Sequence, residues 1–381
     1  MSFIQDSGPE NVVSIKVVGV GGAGNNVVNR MVKSDTKGVE FISINTDKQA
    51  LSTSAATQKI QIGEKLTHGQ GAGGEPEIGR RSAEESRTSI AKCFEDTHMV
   101  FITAGMGGGT GTGAAPIIAD IAREAGLLTV GIVTKPFSFE GKRRMEQALE
   151  GINELLGKVD SLLIIPNDRL KFATDQKVTF ANAFEIADDV LRQAVISISD
   201  LIKNTGFINL DFADVTSIMK NAGYAHMGVG RAAGKGKAED AAKAAVASPL
   251  METSIDGARG VLINITGSMD MGLDDVEAAA NLVQSSAHPD ANIIFGATFD
   301  DSLDDEIRVI VIATGFEDSS SIRPTEPYDE TGLYTRASER AQNQPSDAGD
   351  AAFKPEKPEE EDPIDSIFKI FQKDFNKNED E

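Results

Sequence analysis

The sequence is poor in several things that would have pointed elsewhere. It has one cysteine, Cys93, in 381 residues, so no intramolecular disulfide can form and a reducing, cytoplasmic compartment is expected. No stretch approaches the ~18 uninterrupted apolar residues of a membrane span, so no direct membrane insertion is expected, and any membrane association must be borrowed from a partner. Residues 1–11 carry Asp6 and Glu10 without an apolar run, which argues against a secretory signal. Positive charge is short too. With 37 Lys and Arg against 59 Asp and Glu the formal net charge is -22, so a nucleic-acid partner held through its phosphates is not expected. The lysine-bearing phosphate loop G-x-x-x-x-G-K-S/T is also missing.

What is present first is a rhythm. Apolar runs such as Val17-Val18-Gly19-Val20 and Met99-Val100-Phe101-Ile102 alternate with helical patterns from residue 14 onward. Strands that read as continuous apolar runs belong to a parallel sheet covered on both faces. Single helices are expected over 77–96 and 138–157. From 178 to 205, Phe180, Phe184, Ala187, Leu191, Ala194, Ile198 and Leu201 recur three or four apart, one apolar stripe on a long helix. A second module follows, with strands expected at 259–266, 292–297 and 308–313 and helices between them.

After Gly315 the texture changes. Residues 317–381 hold 18 acidic and 8 basic side chains, and 317–363 contain six of the thirteen prolines. Such a segment buries too little apolar surface to offset its ordering entropy and reads as a disordered acidic linker. Beyond it Ile364, Ile367, Phe368, Phe371 and Phe375 repeat at helical spacing, a stripe suited to a partner's groove. The expected organisation is therefore 1–177, an α/β nucleotide-binding domain with a parallel sheet; 178–205, a core helix; 206–316, an α+β domain; 317–363, linker; and 364–381, a partner-binding peptide.

Three glycine-rich loops carry the chemistry. Gly19-Val20-Gly21-Gly22-Ala23-Gly24-Asn25-Asn26 joins the first strand to the first helix, where glycines let backbone approach a phosphate and the helix end supplies N–H donors. It contains a literal G-x-G-x-x-G, with Asp47 after the next strand, so by itself it leaves a dinucleotide-binding oxidoreductase open. Gly105-Met106-Gly107-Gly108-Gly109-Thr110-Gly111-Thr112-Gly113 puts six glycines in nine residues, which is costly in entropy and makes a nest of donors for several phosphate oxygens. A third loop, Gly69 to Pro76, includes Gly73 and Gly74. Three such loops in one domain imply a polyphosphate.

The run Gly107 to Gly113 resembles the signature loop of the tubulin/FtsZ family. Asn209-Leu210-Asp211-Phe212-Ala213-Asp214-Val215, Ile165-Pro166-Asn167-Asp168-Arg169 and Val133-Thr134-Lys135-Pro136-Phe137 resemble the FtsZ branch, and the similarity runs from about residue 14 to 316. The resemblance implies a tubulin-like GTPase that binds GTP or GDP, with Mg2+ held through few direct protein ligands. It implies that Gly21, Gly22, Ala23, Gly24, Asn25 and Asn26 hold phosphate together with Gly73, Gly74, Gly107, Gly108, Gly109, Thr110, Gly111 and Thr112. Thr134, Glu140, Arg144 and Asn167 would complete the pocket, Phe184 would stack on guanine and Asp188 would accept from the base's N–H groups. On spacing alone, Glu140 and Arg144 read as an i, i+4 surface pair, and Asp188 as a solvated helix face. Asp211 and Asp214, again on spacing alone, read as a helix cap.

The long helix would carry Asn209, Asp211 and Asp214 away from their own nucleotide, so the resemblance implies action on the next subunit of a head-to-tail filament. It further implies a division ring at mid-cell in bacteria, tethered to the membrane by division proteins through the tail. Two departures stand out. Ala23 replaces a glycine common in the first loop, and the tail closes on the acidic Asn378-Glu379-Asp380-Glu381. Two rivals stay open: an NAD(P)-dependent oxidoreductase, and a tubulin-like GTP-binding scaffold without turnover.

Overall fold

The computed structural model describes residues 13–34, 36, 38–172, 177–180, 182–203, 211–251, 254–300, 303 and 305–316. Asn209, the acidic linker and the tail peptide lie outside the described residues.

The elements run in the order β1 (Ile15–Val20), α1 (Gly21–Lys33), β2 (Glu40–Asn45), α2 (Lys48–Ser52), β3 (Gln58–Gln61), α3 (Glu64–Thr67), α4 (Pro76–Glu85), α5 (Arg87–Lys92) and β4 (Met99–Gly105). They continue with α6 (Gly109–Glu124), β5 (Leu128–Lys135), a 3-10 turn (Ser138–Glu140), α7 (Lys142–Leu156), β6 (Ser161–Pro166) and a second 3-10 segment (Asn167–Phe172). The remainder is α8 (Ala183–Lys203), α9 (Phe212–Met219), β7 (Gly223–Ala233), α10 (Lys237–Val246), β8 (Gly260–Gly267), α11 (Leu273–Ser286), β9 (Asn292–Phe299) and β10 (Glu306–Thr314).

One sheet of ten strands takes the order β3-β2-β1-β4-β5-β6-β7-β10-β8-β9. The strands from β3 to β7 pair in parallel, β10 runs antiparallel to both neighbours, and β8 and β9 are parallel. The apolar runs explain the parallel part: all six residues of β1 are buried, as are the first six of β4. One face packs on α1 and α8, the other on α4 to α7, and the C-terminal strands make a third apolar cluster with α10 and α11. The register lines up the carboxyl ends, with Gly19 beside Thr103, Gly105 beside Thr134 and Thr134 beside Ile165. Every glycine loop therefore leaves the sheet at the same edge, where open α/β sheets bind ligands.

Local chemistry moves several expected boundaries. The helix expected over 77–96 breaks at Ser86, whose φ of -103° and ψ of 10° are not helical and whose hydroxyl accepts from Gly63 N at 3.1 Å. The helix expected over 138–157 breaks at Gly141, with φ of 99°. The core helix begins at Ala183, and Phe180 ahead of it is 78% exposed rather than part of the buried stripe.

The strand β7 has no counterpart among the strands expected from sequence, and its glycines are the reason. A Cβ at Gly228 would run into the Ala245 carbonyl, and one at Gly230 into the Ala241 carbonyl, so α10 lies directly on the strand backbone. Gly230→Ala is expected to destabilise the fold by about 1–3 kcal/mol, the usual cost of overpacking. Gly157→Ala, whose Cβ would meet nothing closer than 3.7 Å, should be near neutral. Urea unfolding of the two variants and the parent checks this.

Candidate nucleotide site

The first and second glycine loops meet backbone to backbone. Gly21 has φ of 71°, and a Cβ there would sit 2.9 Å from Gly111 N. At Gly105 a Cβ would lie 2.7 Å from the Ala23 methyl, so alanine at position 23 is tolerated because residue 105 is glycine. The third loop closes on the second, with a Cβ on Gly109 falling 2.8 Å from the Ala72 methyl and 2.9 Å from Glu75 N. Some of these glycines serve packing alone: Gly79 and Gly113 allow α4 onto α6, where Cβ atoms would collide with the carbonyls of Gly109 and Pro76.

Around Gly22, Gly73, Gly74 and Gly108, by contrast, an added Cβ would meet nothing within 4 Å. These four positions border open space. The helices α1 and α6 both start there, with no side-chain cap and no acidic residue in the first turn. Their leading N–H groups and positive ends are left for an anion. Hydroxyls and amides line the same region. Thr110 and Thr46 share a 2.7 Å hydrogen bond, the Thr112 hydroxyl accepts from Gly107 N at 2.8 Å, and the Asn45 amide donates to Asn25 Oδ1 at 3.0 Å. Asn25 Nδ2 and Asn167 Oδ1 are buried without a protein partner. Buried polar groups are nearly always satisfied, so these two are fit to meet a ligand. A polyphosphate nucleotide suits the acid-free helix ends, the open glycines and the donor set together.

Glu140 and Arg144 do form the i, i+4 pair, at 3.1 Å, and Glu140 also accepts from Phe137 N at 2.8 Å. The pair is nevertheless anchored at the pocket, because the Arg144 backbone lies against Gly107. Thr134 is buried, and its carbonyl accepts from Met106 N at 3.0 Å.

On α8, Phe184 is 43% exposed and lies edge-on to Phe137 with ring centroids 5.4 Å apart. Asp188 is 8% exposed and accepts from Arg30 Nε at 3.2 Å. Burial pushes its carboxyl up to about 6, against the pull of the Arg30 guanidinium. A carboxylate in so dry a place accepts from a base edge more strongly than one in water.

Sequence reasoning missed Arg30, Thr46 and the exposed rings of Phe139 and Phe180, which stand 5.8 Å apart in the same aromatic group. Nothing local to Arg30 or Thr46 marks them, since each gains its role from a partner distant in sequence. Phe180 was hidden by its helical spacing.

The aspartates of the 209–215 segment are not at this site. Asp211 N donates to Asp214 Oδ2 at 3.2 Å and Asp214 N to Asp211 Oδ1 at 2.7 Å, a reciprocal cap on α9. Asp211 is exposed and Asp214 half-buried, and the other oxygen of each carboxylate takes no part in the cap. The Phe212 ring meets His98, which precedes β4, with centroids 6.3 Å apart. The glycine loop leaves the far end of that seven-residue strand, about 20 Å away at ~3.3 Å per residue.

Comparison with known proteins matches residues 14–175 to the Tubulin/FtsZ family GTPase domain and residues 223–317 to the FtsZ family C-terminal domain. An empty dimer of FtsZ from M. jannaschii is 44% identical, with a TM-score of 0.77, covering 80% of this chain and 88% of that one. The chain belongs to the FtsZ family. It is a polymerising GTPase with a tubulin-like fold. A point mutant of the same M. jannaschii protein, also 44% identical with a TM-score of 0.77, covers 80% of this chain and 91% of its own. CetZ2 from Haloferax volcanii, a GTPγS-bound protofilament, is 20% identical over 80% of this chain and 94% of that one, with a TM-score of 0.67, and attests the fold. Family membership sets aside the oxidoreductase and the turnover-free scaffold. Among the described residues no helix is long and apolar enough to cross a membrane.

One local test needs no ligand. Arg30→Met removes the cation that opposes burial, so the Asp188 carboxyl is expected to titrate above its present value of about 6. Carboxyl carbon NMR over a pH series reads this directly, and an unmoved midpoint would mean that Arg30 exerts no pull.

Proposed function

We propose that this FtsZ-family chain hydrolyses GTP at a head-to-tail junction, with phosphates held by one subunit and water ordered by the next. The observation that carries the reading is the placement of Asp211 and Asp214 at the opposite edge of the parallel sheet from the glycine loops. Within one subunit they are out of reach. In an open, heterologous stack the tail of one copy meets the head of another, and the same two carboxylates then face a foreign γ-phosphate. Asn209 belongs to this group by its sequence neighbours.

On the phosphate side, Gly21, Gly22, Ala23, Gly24, Asn25 and Asn26 cradle the polyphosphate with Gly107 to Thr112, and Gly73 and Gly74 border it. Thr134, Asn167 and the Glu140–Arg144 pair close the pocket, Phe184 stacks on the base and Asp188 reads it. An acceptor-only carboxylate fits guanine's N1 and N2 donors and repels the ring nitrogen of adenine. Mg2+ would accompany the phosphates. It commonly keeps several waters and uses one or two carboxylates, and the described residues contain no cluster of three potential metal ligands. In phosphoryl transfer the protein chiefly positions and neutralises, which is what a junction completed by a neighbour's aspartates can do.

In the cell the filament would form a mid-cell division ring. Residues 1–177 act as the nucleotide domain, 178–205 as the connecting helix and 206–316 as the activating domain. The acidic linker 317–363 leads to a tail, 364–381, that docks on a membrane-tethering division protein through Ile364, Ile367, Phe368, Phe371 and Phe375.

Phosphate release across a dilution series at saturating GTP tests the junction. Activity per subunit should rise above an assembly threshold, and Asp214→Ala should bind GTP and assemble yet lose about tenfold or more of its turnover. A rate per subunit that stays constant on dilution would put the whole active site in one chain.

Base recognition has its own pH signature. Guanine needs the ionised Asp188, so binding lowers that pKa, and affinity should rise with pH through about 6 and level off above it. Below the midpoint it should fall up to about tenfold per pH unit. Asp188→Ala should flatten the profile and weaken binding by about 1.5–3 kcal/mol. A parent profile as flat as the variant's would remove Asp188 from the base site.

A further inference from the structure

We propose that Asp160, assisted by Ser161, is a positioning residue for Asp211 and Asp214, setting where they stand when they face the neighbouring subunit's nucleotide. The inference rests on those two aspartates acting across the junction.

Asp160 is 4% exposed and sits where α7 hands over to β6, at the amino edge of the sheet. It has no part in the nucleotide pocket. Its Oδ2 accepts from Thr129 N at 2.9 Å and its Oδ1 from Asn221 N at 3.3 Å. Its own backbone donates to Thr129 O at 2.8 Å, and its carbonyl accepts from Gly223 N at 2.9 Å. The next residue, Ser161, donates its hydroxyl to the Met219 carbonyl. One buried carboxylate and one buried hydroxyl thus tie the start of β5 to the last turn of α9 and the residues that leave it. The bond to Thr129 is the shorter of the carboxylate's two, and that to Asn221 the longer.

The rest of α9 depends on this tie. The helix is eight residues long, about 12 Å at 1.5 Å per residue, so a tilt of its last turn is felt at its first. Asn221 adopts φ of 53°, an unusual conformation for a non-glycine residue, and its side chain also accepts from Arg123 Nη2 at 2.9 Å. On the other side Thr314 of β10 donates to the Ile218 carbonyl at 3.0 Å. The last turn is therefore gripped by the first module through Ser161 and by the second through Thr314, while Asp160 holds the backbone at Asn221 just beyond it. At the first turn, Phe212, lying between the two catalytic aspartates in sequence, is edge-on to His98. Both ends of α9 lean on the amino edge of the parallel sheet. The carboxylates offered to the neighbour are thereby held in register with the sheet that carries the subunit's own glycine loops.

The test is turnover per assembled subunit, measured with pelleting, beside GTP affinity of the dilute protein, for the full chain. Asp160→Asn keeps the shape but replaces one acceptor with an NH2 group facing an N–H. It is expected to lose about tenfold in turnover while GTP affinity and polymer mass stay near the parent's. Ser161→Ala should lose less in the same direction, and carries the test if Asp160→Asn fails to fold. Gly230→Ala supplies a stability control, since it weakens the fold away from α9 and should leave turnover per assembled subunit unchanged. Asp214→Ala runs alongside. If it keeps turnover, the junction reading itself is wrong. If it loses turnover while Asp160→Asn and Ser161→Ala keep theirs, only the positioning role is wrong. A loss of GTP affinity or of assembly that matches the loss of turnover also overturns it, because a positioning residue for the trans-acting group alters neither.

Discussion

Close approach of bare backbone is the constraint on which the nucleotide end depends. Gly21 must come within contact of Gly111, Gly105 must make room for Ala23, and Gly109 must admit the loop that carries Ala72 and Glu75. The first two of these loops leave the neighbouring parallel strands β1 and β4 at the same level, and the third reaches them from α3, beyond β3. Side chains would hold the loops apart and fill the space left open at Gly22, Gly73, Gly74 and Gly108. The glycines thus do two different things in one place. Some let secondary structure touch, and others keep a hollow lined with amides.

That duality bears on what could be read from the sequence. The parallel sheet was legible because strands buried on both faces leave unbroken apolar runs, and the polyphosphate because three glycine loops are hard to explain otherwise. Which glycine packs and which lines the pocket was not legible: Gly113 and Gly108 look alike on the page, and only the position of Pro76 separates them. The same limit hid β7, whose glycines answer to α10 and not to strand propensity. Helix breaks at Ser86 and Gly141 are decided by one hydroxyl and one positive φ. Pair roles such as Arg30 with Asp188 form across 158 residues of sequence and leave no local trace. For Glu140–Arg144 and for Asp211–Asp214 the plain structural reading is the one observed, and the proposed site roles are compatible with it. The ion pair and the helix cap are both present, and neither contact uses up the oxygens that the proposed site roles need.

The two ends of the sheet divide the labour. A parallel strand has one carboxyl end and one amino end, so loops that hold the nucleotide and the helix α9 that carries Asp211 and Asp214 cannot share an edge once α8 has run the length of the domain. What is a separation inside one subunit becomes an adjacency between two. On the proposed junction mechanism, assembly would supply the geometry that folding withholds, and a subunit alone would bind nucleotide without turning it over.

The pocket also bears on the energetics of the subunit. Two helix amino termini lack caps, Asn25 Nδ2 and Asn167 Oδ1 lack partners, and Asp188 is buried deeply enough to lift its carboxyl to about 6. Each leaves a polar group under-solvated, at roughly 1–3 kcal/mol for an unsatisfied buried donor or acceptor. A ligand with phosphates for the amides and donors for the carboxylate relieves these together, so part of its binding free energy appears as stability of the folded domain. The relief is one-sided, because the uncapped helix ends and both asparagines lie at the carboxyl edge of the sheet. The tail instead relies on bonds already made within the chain, from Asp160, Ser161 and Thr314 to the last turn of α9 and the backbone that leaves it. A head completed by nucleotide and a tail completed by folding would be the two unlike surfaces that the proposed open, polar filament requires.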